Sequence, residues 1–145
     1  MDATRSLRLA AASVADLAAV RRFVVDSVRS LGVEPGVEPD LVIALDEAVT
    51  NVLVHGYRGA RGPVEIEVAL RGGTVIVRVR DRAPAFDPTS WPTPDMTVPL
   101  ERRRAGGFGI HLARTSMDEV THRTLDGGNE LTLIKDLTRG GRDER

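Results

Sequence analysis

The chain of 145 residues contains no cysteine. That excludes disulfides, thiol chemistry and cysteine-ligated zinc. It has a single lysine, Lys135, and arginine supplies the remaining positive charge. A P-loop needs glycine followed by Lys-Ser/Thr, so the lysine's place near the C-terminus rules that class out. The kinase set of a strand lysine with His-Arg-Asp is missing too. No apolar run is long enough to cross a membrane, and the opening MDATRSLRL does not resemble a signal peptide, so the expected location is the cytoplasm. A net charge of -1 leaves no basic footprint for nucleic acid. There are no internal repeats.

What is present fits one globular domain, expected to span 1–145 with its core at about 5–137. Hydrophobic residues make up 41% and charged residues 28%. Residues 6–10 alternate as a short strand does. Ser13 and Asp16 have capping-box spacing, and Leu17, Val20, Val24, Val28 and Leu31 follow at helical spacing. A second helix is expected from Glu38–Asp40 to about His55, with Gly56 at its end. Residues 63–71 and 74–81 alternate strictly around Gly72-Gly73, a hairpin signal. A proline-rich stretch, 82–105, precedes an expected third helix over 106–116. Strands at 118–125 and 129–137 follow, turned by Asp126-Gly127-Gly128, and the tail 138–145 reads as frayed. One sheet with helices on one face would bury every apolar side: an α/β two-layer sandwich.

The second helix carries a polar column, Glu47, Asn51 and His55, at four-residue intervals. Leu41, Leu45, Ala48, Val49, Val52 and Leu53 gather on the opposite, core side. A solvated helix face usually pairs acids with bases three or four residues away. Between Asp40 and Tyr57 there is no lysine or arginine, so Asp40, Asp46 and Glu47 stand without a basic partner on their own helix. A carboxylate beside a neutral amide oxygen suits Mg²⁺ in a nucleotide site, or the carboxylate can serve as a general base. Downstream, the run Arg102 to Arg114 places glycines and arginines before a helix, where backbone N–H groups attract phosphate. Its spacing is not that of a dinucleotide fingerprint. Asp81 ends its strand either as a turn-former or as an acceptor for a base's exocyclic amine.

Taken together, Glu47-x-x-x-Asn51-x-x-x-His55-Gly56, Asp81-Arg-Ala-Pro-Ala-Phe-Asp87-Pro, Gly106-Gly-Phe-Gly109-Ile-His-Leu and Asn129-Glu-Leu-Thr132-Leu resemble the boxes of the GHKL, or histidine-kinase-like, ATPase superfamily. The nearest resemblance is to its small stand-alone branch, the bacterial anti-sigma-factor serine/threonine kinases. The resemblance implies a mixed, mostly antiparallel sheet and binding of ATP with Mg²⁺. Glu47 would be the base that activates the attacking hydroxyl, and Asn51 the Mg²⁺ ligand. Asp81 would accept from the adenine amine with Thr132 nearby, and Ala83 and Ala85 would line the same turn. Gly107, Phe108, Gly109 and Ile110 would approach the phosphates. Residues 89–105 would form a lid carrying Arg104. His55 reads as a capping or packing residue. The branch further implies a sigma factor and a STAS-domain anti-sigma antagonist as partners, and a homodimer. The sequence departs from the family at Ala83, where a glycine is usual. A non-catalytic binding module is therefore the alternative to a kinase. An ATPase fragment of the chaperone or mismatch-repair type is weaker, because such proteins carry further domains.

Overall fold

A computed structural model describes residues 3–87, 89 and 117–137. The expected third helix, most of the lid and the tail lie outside the described residues. The chain runs β1 (Ala3–Ala12), a 3-10 turn (Val14–Asp16), α1 (Leu17–Ser30), α2 (Glu38–Asn51), β2 (Gly62–Arg71), β3 (Thr74–Asp81), β4 (Glu119–Leu125) and β5 (Gly128–Asp136). The capping signal before α1 is used: the Asp16 carboxylate accepts the Ser13 N–H at 2.8 Å.

The five strands form one sheet in the order β1-β2-β3-β5-β4. All four pairings are antiparallel, so the parallel component allowed by the family resemblance does not occur among the described strands. Alternation divides each strand between two faces. Val64, Ile66 and Val68 of β2, Val75, Val77 and Val79 of β3, and Leu131 and Leu133 of β5 face the helices and are buried. Val20, Val24 and Val28 of α1 close over them, with Leu41, Leu45, Ala48 and Val49 of α2. The apolar side expected of α2 is thus the side that packs.

The other sheet face is charged and internally paired. Cross-strand register sets Arg8 opposite Glu65, Glu65 opposite Arg80, Arg80 opposite Glu130 and Glu130 opposite Arg123. The resulting row alternates in sign across all five strands. Its links measure 2.5, 2.8, 2.6 and 2.7 Å. Burial alone would push the Glu130 carboxyl up; hydrogen bonds from Arg123 and Arg80 and their charges hold it below the ordinary range.

Candidate functional site

α2 carries four acids, and three of them find partners on other elements. Asp46 accepts from Arg21 of α1 at 2.6 Å, Glu38 from Arg29 at 3.3 Å, and Asp40 lies 3.6 Å from Lys135 of β5. The acids that lack a base on their own helix are therefore mostly neutralised across it. Glu47 is the exception: half-buried, it has neither ion pair nor hydrogen bond among the described residues. Burial, and then the neighbouring Asp46 charge, raise its pKa. One turn on, Asn51 is 1% exposed, and both its amide oxygen and its amide nitrogen lack a partner among the described residues. Leaving such a group unsatisfied costs about 1–3 kcal/mol. An orphaned amide oxygen next to an unpartnered carboxylate has the donor chemistry of a Mg²⁺ site that takes its remaining ligands from phosphate and water. The residues present fit that ion.

The helix then widens. Residues Val52–Gly56 form a π-turn, closed by the Tyr57 N–H on the Val52 carbonyl at 2.8 Å. His55, expected in line with Glu47 and Asn51, sits on this wider turn, where four-residue spacing no longer repeats the same face. It is half-buried. Gly56 brings the helix end against the segment after β3. A Cβ at Gly56 would lie 2.9 Å from the Phe86 ring and 3.0 Å from the Ala83 methyl. Tyr57 adds a polar tie, its hydroxyl donating to the Pro63 carbonyl at 2.5 Å and accepting the Arg82 N–H at 2.8 Å.

Asp81, at the end of β3, is 6% exposed. Burial raises its pKa, against hydrogen bonds from Asn129 and the Ala83 backbone that lower it. Both donors end on Oδ1, each at 2.9 Å. No described donor reaches Oδ2. Ala83 is buried, and its methyl fills the space that Gly56 leaves. Arg58 is the one described non-glycine residue with positive φ, so the turn at Ala83 demands no glycine conformation. Ala85 is exposed beside it.

Thr132 does not join Asp81. Register sets Thr132 opposite Arg78 and Thr121, on the charged face, whereas Asp81 pairs with Asn129 on the helix-covered face. The expectation for Thr132 fails on strand parity. Asn129 is the residue that sequence reading missed as part of the site. The signal was available: Leu131 and Leu133 point inward, so 129 must as well and 132 cannot. Arg104, Gly107, Phe108, Gly109 and Ile110 lie outside the described residues.

The fold is a two-layer α/β sandwich whose acid-bearing helix runs into the turn that follows β3. The chain belongs to the histidine kinase-like ATPase domain family, whose sequence profile matches residues 10–135. Among relatives, it is 32% identical over 95 residues to the serine/threonine-protein kinase BtrW of Bordetella bronchiseptica, covering 64% of this chain and 66% of that one. It is 31% identical over 96 residues to the anti-sigma F factor of a Thermoanaerobacter species, covering 66% of each. It is 32% identical over 111 residues to the serine-protein kinase RsbW of Bacillus licheniformis, covering 69% of this chain and 65% of the relative. The chain thus spans just under two thirds of the length of these relatives. A solved structure of the RsbU and RsbW domains of Rv1364c from Mycobacterium tuberculosis contains the same fold in part of its length, with a TM-score of 0.65 at 22% identity over 92% of this chain and 32% of that one. Among the described residues, no helix is long and apolar enough to cross a membrane.

Proposed function

We propose that this protein is an ATP-dependent serine/threonine kinase of the anti-sigma type, transferring phosphate to a STAS-domain antagonist and sequestering a sigma factor. The observation that carries the reading is the pairing of the one described α2 acid without a partner, Glu47, with the orphaned buried amide of Asn51. A module that held nucleotide only as a structural ligand would use Asn51 but would gain nothing from the base, Glu47. The names of the relatives, two protein kinases and an anti-sigma factor, point the same way.

In this reading Mg²⁺ supplies charge neutralisation on the phosphates. Asn51 would hold the ion through its amide oxygen. Glu47 would take the proton from the attacking hydroxyl, a task helped by the pKa that burial and the Asp46 charge raise. Asp81 would accept the adenine amine on Oδ2. Gly107 and Gly109 would offer N–H groups to the phosphates, with Arg104 on the lid. The protein would act in the cytoplasm as a homodimer. The test is transfer of labelled γ-phosphate to a purified STAS-domain partner. Wild-type protein should transfer with Mg²⁺ and not without it. A wild-type protein that binds no Mg-ATP in calorimetry would end this reading.

A further inference from the structure

Asn129 is engaged on every side. Its Nδ2 donates to Asp81 Oδ1 at 2.9 Å and lies 3.2 Å from both the Ala83 and Pro84 carbonyls. Its Oδ1 accepts the Phe86 N–H at 3.2 Å and stands 3.3 Å from His122 Nε2. Three acceptors around the nitrogen and an N–H on the oxygen fix the amide's orientation, since the flipped amide would set like against like at each contact. His122 must then donate its Nε2–H. Asn129 is 2% exposed, so these bonds form in a site where unpaired groups are costly. Gly128 permits the approach: a Cβ there would collide with the Asp81 carbonyl oxygen.

Two consequences meet at Asp81. With Oδ1 occupied by Asn129 and the Ala83 N–H, only Oδ2 remains for a ligand. The carboxylate also cannot turn without breaking both bonds. Meanwhile the turn through Ala83, Pro84 and Phe86 is tied to β5 through the same amide.

We propose that Asn129 is a positioning residue for base recognition: it locks the Asp81 carboxylate so that one fixed acceptor faces the base, and thereby sets the preference for an amino purine over a keto purine. The inference rests on the nucleotide reading above. Adenine offers an amine donor beside an acceptor nitrogen, whereas hypoxanthine offers a keto oxygen beside an N–H. A fixed carboxylate oxygen rejects the keto group. One free to swing can take the neighbouring N–H instead.

The experiment measures the binding of Mg-ADP, Mg-IDP and Mg-pyrophosphate by calorimetry to the full chain. Wild type should prefer ADP to IDP by about tenfold or more, the worth of one charge-assisted hydrogen bond. Asn129→Ala should bring the two diphosphates to within about threefold while leaving pyrophosphate affinity unchanged. A general loosening would weaken all three together, and that result would overturn the proposal. Asn129→Ser, which keeps a donor for Asp81 and cannot span the turn, should retain most of the ADP preference. If Asn129→Ala does not fold, Asn129→Val, which also lacks the donor, takes its place and is read the same way. Undiminished ADP preference in folded Asn129→Ala overturns the inference and leaves the kinase reading standing. Wild type that binds neither diphosphate removes both.

Discussion

The charged face of the sheet and the polar side of α2 both bear carboxylates, but their surroundings differ. Glu65 and Glu130 sit between arginines, and hydrogen bonds from these outweigh burial and hold their pKa values down. Glu47 and Asn51, on α2, have no described partner at all. The outer row spends its charge within the molecule, so its work is structural. The α2 pair leaves its charge and its hydrogen-bonding capacity unused, which is a cost unless a ligand arrives.

The sharpest way to break this contrast is Glu47→Gln. It should lower phosphoryl transfer by about 10²–10⁴-fold, the usual worth of a general base, with Mg-ADP affinity nearly kept. Transfer at the wild-type rate would move the base elsewhere. Next in size is Glu130→Ala. It leaves Arg80 and Arg123 without their shared acceptor, and stability should fall by about 2–3 kcal/mol, several degrees of Tm. Nucleotide affinity should hold, and a matching loss of binding would mean the row is no longer separate from the site. Asn51→Leu reverses that pattern. Removing an orphaned amide should leave unliganded stability level or higher in a thermal melt, while Mg-ADP affinity falls about tenfold. A clear drop in Tm would show that the amide is satisfied after all.

The smallest effect is on pH dependence. Glu47 and Asp81 have raised pKa values, so their ionised forms cost stability at neutral pH, and that cost is relieved as pH falls through those values. Glu65 and Glu130 have lowered values, so the stability they add is present above the ordinary carboxylate range and is lost as pH falls through their folded values. Denaturant midpoints should therefore rise slightly in mild acid before falling in strong acid. Glu47→Gln should flatten the rise, and Glu130→Gln should flatten the fall.

Much of this was legible in the sequence. Strict alternation in 63–71 and 74–81 located β2 and β3 to within a residue, because each strand has one face against helices and one in a charged row. The acid column on α2 was visible, but its partners were not. Arg21 and Lys135 reach Asp46 and Asp40 from other elements, and only folding brings them near. The α-helix was expected to run to His55, yet it gives way to a π-turn after Asn51, and the Gly56 that ends it lies against Phe86, a contact made across 30 residues of chain and invisible to local pattern. Thr132 was misplaced through reliance on motif likeness, when the inward leucines on either side already assigned it to the other face.

The cross-strand pair Asp81–Asn129 joins two residues 48 positions apart in sequence. The pairing is strict, since a slip of one residue between β3 and β5 would send Asn129 to the charged face and part it from Asp81. A one-residue insertion in either strand would therefore undo the pair even with both side chains retained.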